Sequence, residues 1–203
     1  MRIRNLAQYI LLLTGLLAGK AVMGQQAGSI SHPTRPELAV EYSFLNSNAP
    51  PGGCGCFSLN GGSASFAWPL ESSKLSNKFA LVGDIGVSHA SSIASQGYDL
   101  TLSTYTLGGR YSRQLGHSPL RLFGQVLAGV GHASGSLVEG NNPGASNAGA
   151  AFAGIAGGGV DLHASRHLFF RLVEADYLAT TFDNASNAHQ NNLRIGAGLV
   201  FAF

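Results

Sequence analysis

The chain has 203 residues, enough for a single domain, and only 11% of them are Asp, Glu, Lys or Arg, against roughly 25% in soluble domains. The formal charge of +2 disappears once residues 1–24 are set aside, because nine Lys/Arg then face ten Asp/Glu, a net charge of −1. Such a balance offers no basic surface to a nucleic-acid backbone.

Residues 1–24 read as a secretory signal peptide. Arg2 and Arg4 supply the basic start, residues 6–19 the apolar stretch, and Val22, Met23 and Gly24 a small-residue exit. The apolar stretch is shorter than the roughly 20 residues of a spanning helix, which favours a cleaved leader over a retained anchor. Residues 25–36 are then expected to be a short periplasmic segment, and 37–203 the folded domain. No later stretch is apolar for the length of a spanning helix. A membrane location would therefore require strands closed into a barrel, since lipid offers no partner to open backbone groups.

Side chains alternate across a strand, so a period of two marks one. Eight segments show it. In 37–46, Leu38, Val40, Tyr42 and Phe44 share one face and Ala39, Glu41 and Ser43 the other. Segment 58–68 sets Gly62, Ala64, Phe66 and Trp68 outward and ends before Pro69, where a missing amide does least harm. Segment 78–88 opposes Phe79, Leu81, Ile85 and Val87 to Val82, Asp84 and Ser88; segment 100–112 opposes Leu107 and Tyr111 to Thr104, Thr106 and Arg110. Segment 120–133 sets Leu122, Val126 and Val130 against Arg121, Phe123 and Gln125, and 151–162 sets Phe152, Val160 and Leu162 against Asp161. Segment 168–182 breaks parity, because Glu174 and Asp176 share a face that Arg171 does not. Either a bulge near Val173 resets the register or Arg171 snorkels to the membrane edge. The last segment, 193–203, carries Leu193, Ile195, Ala197, Leu199, Phe201 and Phe203 on one face and Arg194, Gly196 and Gly198 on the other. Its length suits a tilted strand crossing a bilayer.

Connections 69–77, 113–119 and 163–167 are short, whereas 47–57, 89–99, 134–150 and 183–190 are longer and rich in Gly, Asn, Ser and Pro. This alternation predicts an all-β, eight-stranded, antiparallel, up-and-down transmembrane β-barrel with both ends in the periplasm and four extracellular loops. Tyr42, Phe44, Trp68, Phe79, Tyr111, Phe152, Tyr177, Phe182, Phe201 and Phe203 are expected in two interfacial girdles. A soluble lipocalin-like barrel or sandwich would instead turn the apolar parity inward.

The segment from Asn191-Asn192-Leu193-Arg194 to Phe203, the run Gly157-Gly158-Gly159-Val160-Asp161 and the stretch from Arg171 to Tyr177 resemble the small eight-stranded OmpA/OmpX-like, porin-like bacterial outer-membrane barrels. The resemblance covers roughly residues 37–203. It implies an outer-membrane location, contact with outer-membrane lipid, and a terminal strand (Leu199, Phe201, Phe203) read by the barrel-assembly machinery. It does not specify an activity.

An eight-stranded barrel is only wide enough for side chains to fill. Glu41, Asp84, Arg110, Arg121, Gln125, Asp161, Glu174, Asp176 and Arg194 are therefore expected to form a salt-bridged plug, with a narrow ion path as the alternative. Arg194 is expected to be held by Glu174 and Asp176. Cys54 and Cys56, in one glycine-rich loop outside the reducing cytoplasm, suit a local disulfide; intermolecular or free thiols and metal ligation are the alternatives. Rim histidines near serines, as in His89-Ala90-Ser91 and His132-Ala133-Ser134, admit a hydrolytic reading. Small-barrel lipid-A deacylases carry His-x-Ser-Asn-Ala, and here Ser92 and Gly135 stand where Asn is required. The expected protein is thus a monomer without enzymatic activity or cofactor, structural or interacting at the cell surface with an unknown extracellular ligand.

Overall fold

The computed structural model describes residues 35–47, 57–70, 79–93, 97–136, 147–182 and 189–203. The expected signal peptide, nearly all of the expected periplasmic segment, and Cys54 and Cys56 lie outside the described residues. Eight strands follow in order: β1 (Glu37–Ser47), β2 (Phe57–Pro69), β3 (Phe79–Ile93), β4 (Tyr98–Gln114), β5 (Leu120–Gly135), β6 (Asn147–Ser165), β7 (Leu168–Thr180) and β8 (Gln190–Ala202). Each pairs antiparallel with the next, and β1 pairs with β8, so the sheet closes without an edge.

Burial follows the sequence alternation with the polarity of a soluble protein reversed. Val126 is 68% exposed, Leu107 58% and Ile85 53%, whereas Arg171, Asp161 and Asp176 are at most 1% exposed. Water would not tolerate a continuous apolar band of this kind, and lipid requires it. The band is bounded by aromatics. Near the end holding the start of β1, Phe66 packs on Trp68 with ring centroids 6.2 Å apart and Phe79 on Tyr111 at 5.1 Å. Toward the other end, Tyr42 donates to Asn60 Oδ1 at 2.8 Å and Tyr177 to Asn191 Oδ1 at 2.5 Å. Each ring lies in the apolar band and each hydroxyl is satisfied by the neighbouring strand.

Three elements differ from the sequence expectation. The β3–β4 and β5–β6 hairpins continue well into the stretches expected as loops, with Ala90 paired to Leu100 and Gly135 to Asn147. Beyond the lipid the outward face no longer needs apolar residues. His89, Ser91, Ser103 and His132 occupy it while the backbone ladder persists, so hydropathy loses the strand before the hydrogen bonds do. Strand β7 ends at Thr180, two residues early. Phe182 is consequently not a girdle residue. It is half-buried against the apolar cluster inside the barrel, held by Gln190, whose amide accepts from the Phe182 amide nitrogen at 2.9 Å and donates to its carbonyl at 2.8 Å. Of the two alternatives for segment 168–182, the structure shows the first: the register shifts between Arg171 and Glu174, and Leu172 and Val173 both face outward. This is the bulge, and it turns Arg171 inward, so Arg171 does not snorkel.

Candidate functional site

The barrel interior has two storeys. The storey nearer the chain ends holds four arginines, Arg110, Arg121, Arg171 and Arg194, among six carboxylates, Glu37, Glu41, Asp84, Asp161, Glu174 and Asp176, all buried. The charges form one connected chain. Arg121 grips Glu37 with Nη1–Oε1 at 2.5 Å and Nη2–Oε2 at 3.0 Å, and reaches Asp161 at 2.8 Å. The other oxygen of Asp161 accepts from Arg171 Nε at 2.9 Å, and Arg171 Nη1 bridges Glu41 at 2.7 Å and Glu174 at 2.6 Å. Arg194 bonds Asp176 at 2.7 Å, Asp84 at 3.0 Å and Glu174 at 3.4 Å.

Gln125 couples the two halves. Its Nε2 donates to Glu174 and Asp176 at 3.1 and 3.3 Å, while its Oε1 accepts from Arg110 at 2.7 Å. Arg110 also reaches Ser65 Oγ at 3.5 Å and has no carboxylate partner among the described residues. Its charge lies 4.6 Å from the centroid of the Phe123 ring, with Arg171 at 4.2 Å from the same ring. Every strand thus contributes a member, from Ser65 on β2 to Arg194 on β8.

Two glycines of the Gly157-Gly158-Gly159 run make this packing possible. A methyl on Gly157 would sit 2.2 Å from Asp176 Oδ1, and one on Gly159 2.8 Å from the Phe123 ring. The run is therefore a floor for the Asp176 carboxylate and the Phe123 ring, consistent with a glycine that admits close approach in a strand. Glu41 Oε2, Arg121 Nε and Arg171 Nη2 are buried without a partner among the described residues, so the network is only partly satisfied there.

The other storey is mainly apolar, with Ser47 donating to Asn192 Oδ1 at 2.7 Å and Asn192 Nδ2 to the Leu178 carbonyl at 3.1 Å among its leucines. Leu45, Leu59, Ile93, Leu102, Leu127, Ile155 and Leu178 form a buried cluster, with Phe57, Tyr98, Leu100 and Phe182 packed against it toward the mouth. A groove of about 590 Å³ lies on the outer wall, between Phe66, Ile85, Tyr105 and Leu107 over Ala64, Gly83 and Ala128, where it faces lipid.

All nine polar residues singled out in the sequence point inward, and Arg194 meets both Glu174 and Asp176. Sequence reasoning missed Glu37 and Arg171. Glu37 shares parity with Glu41 and was legible; Arg171 was hidden by the bulge, although Leu172-Val173 between two charged residues is the signature of one. Leu199, Phe201 and Phe203 face outward on and just beyond β8.

At the apolar end, His89 Nδ1 lies 2.9 Å from Thr101 Oγ1, and Asp99 accepts from the Ser136 hydroxyl and, at 3.2 Å, from its amide. Asp99 lies on the part of β4 beyond the apolar band, and the Ser136 hydrogen bonds hold its carboxyl below the ordinary value. His89 and Asp99 thus hydrogen-bond to different partners, and the His89 charge adds a smaller lowering of the Asp99 carboxyl.

No protein-family profile matches this chain, and no curated protein matches it in sequence. Solved structures do. The chain is similar to the Neisserial surface protein A, with a TM-score of 0.62 at 12% identity over 83% of this chain and 97% of that one. It is also similar to Ail, the attachment invasion locus protein of Yersinia pestis, with a TM-score of 0.51 at 16% identity over 82% of this chain and 99% of that one. The fold is that of the small eight-stranded outer-membrane β-barrels.

Proposed function

We propose that this chain is a monomeric outer-membrane scaffold without enzymatic activity or cofactor, which acts through the surface presented by its apolar-interior end. The observation that carries this reading is the filled interior. A polar storey to which all eight strands contribute and a largely apolar storey stacked on it leave the barrel wall and its loops as the parts free to act. The similar structures include proteins described as a surface protein and as an attachment and invasion protein, and a surface-interaction role fits that company.

The loop-bearing end would then face the medium and meet an extracellular ligand. The opposite end would face the periplasm, and Leu199, Phe201 and Phe203 would dock on the barrel-assembly machinery. A narrow porin-like channel is the competing reading, and the two storeys argue against it.

The test is display. A single Cys at Asn142, in a background lacking Cys54 and Cys56, is expected to react with an impermeant maleimide on intact cells. A Cys at Ser118, in the β4–β5 turn, is expected to react only after the outer membrane is broken. The reverse pattern would contradict the orientation. Deleting Phe203 is expected to lower outer-membrane levels while leaving refolding in detergent intact; normal levels would remove the docking role.

A further inference from the structure

The Lys and Arg left over after the interior is filled are segregated to one end, where Glu71 is the one acid in the connections. Of the twelve Lys and Arg, three precede residue 25, four lie inside the barrel, and the remaining five are Arg35, Lys74, Lys78, Arg113 and Arg166. In sequence all five fall just before β1, at the end of β4, or in the β2–β3 and β6–β7 connections, which belong to the chain-end rim. The connections of the opposite rim contain Glu139 and Asp183 and no Lys or Arg, and Asp99 lies beside them. A random scatter of five cations over two rims would rarely leave one empty.

Three of these arginines lie on a continuous arc. Arg35, Arg113 and Arg166 are exposed. The amide of His163 donates to Pro119 O at 2.8 Å, joining the β4–β5 turn to the β6–β7 turn, and the amide of Ala202 donates to His167 O at 2.9 Å. The amide of Phe203 donates to Pro36 O at 3.0 Å, and Arg35 Nη1 lies 3.4 Å from His167 Nε2. The arc therefore runs from Arg113 and His117 through His163, Arg166 and His167 to Arg35. Tyr111 and Phe201 of the aromatic girdle, and Phe170 paired beside Leu199 on β8, lie next to it and are exposed on the outer wall. The two buried carboxylates nearest this rim, Glu37 and Asp161, are already taken by Arg121.

We propose that this arc is a docking collar for the phosphate head groups of anionic phospholipids in the leaflet facing the periplasm. Guanidinium groups suit phosphate oxygens, and their place just below the aromatic girdle puts them at head-group depth. The opposite rim, lacking any Lys or Arg, has no comparable means of holding a phosphorylated or sulfated glycolipid. The collar anchors the barrel from below and leaves the display surface without cation-mediated lipid contacts. The naming of the leaflet rests on the proposed orientation; the lipid preference itself does not.

The test uses the full mature chain refolded into vesicles of equal parts phosphatidylglycerol and phosphatidylcholine, with retained lipids counted by native mass spectrometry after gentle detergent extraction. A basic residue near an anionic surface favours binding by roughly fivefold. The wild type is expected to retain phosphatidylglycerol at least about tenfold over phosphatidylcholine, and high salt should weaken the preference. The triple variant Arg35→Gln, Arg113→Gln, Arg166→Gln is expected to fall to near parity with its urea midpoint unchanged. Arg113→Gln alone provides a smaller loss if the triple variant does not refold. The pair His89→Gln, His132→Gln on the opposite rim is expected to keep the preference.

Equal retention by the wild type, or an undiminished preference in the triple variant, would overturn the proposal. Arginine-dependent pelleting with purified peptidoglycan, without any lipid preference, would also overturn it and assign the collar to the cell wall. These vesicles present one composition to both rims, so the lipid result does not depend on which rim faces outward. The maleimide experiment reports orientation separately.

Discussion

The two storeys of the interior solve the same packing problem with opposite chemistry. Near the chain ends, ten charged groups and Gln125 fill the lumen; toward the loops, Leu, Ile and Phe side chains do. The charged storey is specific, since shifting any strand but β2, which contributes only Ser65, by one residue would turn its charged group into lipid. The apolar storey is tolerant, because a leucine packs acceptably against many neighbours. Register is thus fixed by the charged storey. The more permissive packing runs from the lipid-surrounded Leu127, Ile155 and Leu178 to Ile93 and Leu102, where the hairpins extend toward the display surface.

Removing Arg171 should separate the storeys most sharply. Arg171→Met would leave Asp161, Glu41 and Glu174 without their shared partner, a change that costs about 3–5 kcal/mol when a buried pair is broken from one side. A large fall in the urea midpoint is expected, or failure to refold. Recovery of part of the loss by the double variant Arg171→Met, Glu41→Gln would assign the cost to the stranded charge. An unchanged midpoint in Arg171→Met would place Arg171 outside the network.

In the apolar storey, Ile155→Ala should cost about 2–4 kcal/mol as a cavity, with the register intact. The distinguishing readout is structural. Backbone amide chemical shifts of β6 and β7 are expected to move only locally in Ile155→Ala. Global shift changes there would mean that the apolar storey also sets register.

Sequence reached most of this, and where it stopped has physical reasons. Strict alternation revealed the inward face of seven strands, because lipid enforces an apolar outer face as strongly as water enforces a polar one. It lost the hairpin extensions at Ser88 and Leu100, where that enforcement ends. It left Arg171 between a bulge and snorkelling, because a single bulge inverts every parity beyond it and parity alone does not say whether one is present. The apolar storey went unnoticed for a subtler reason. Leu102, Ile155 and Leu178 look like lipid-facing residues until the strand's phase is known. The collar could be counted from the sequence, but the arc joining Arg35 to Arg113 needs the turns to be seen side by side.

A smaller effect is expected at the loop-bearing rim. Asp99 bonds Ser136 as the carboxylate, and its carboxyl is held below the ordinary value by those hydrogen bonds. Its contribution is therefore present above the usual carboxylate pKa and is lost as pH falls through the lowered folded value. Amide exchange at Ser136 should stay slow at neutral pH and accelerate in acid, and Asp99→Asn should remove most of that acid dependence. Exchange at Ser136 indifferent to pH after correction for intrinsic rates would exclude the carboxylate clasp.

The central claim is that the two storeys together close the lumen. Planar-bilayer recording of the refolded wild-type barrel, with the apolar-storey variant Ile155→Ala beside it, tests this directly. The account predicts no stepwise conductance from the wild type at any holding potential at which the bilayer alone is quiet, and at most rare brief events from the variant. Stable, repeated conductance steps from the wild type, lost in an Arg171→Met or Arg194→Met barrel that still inserts, would show that the charged storey conducts and contradict the account.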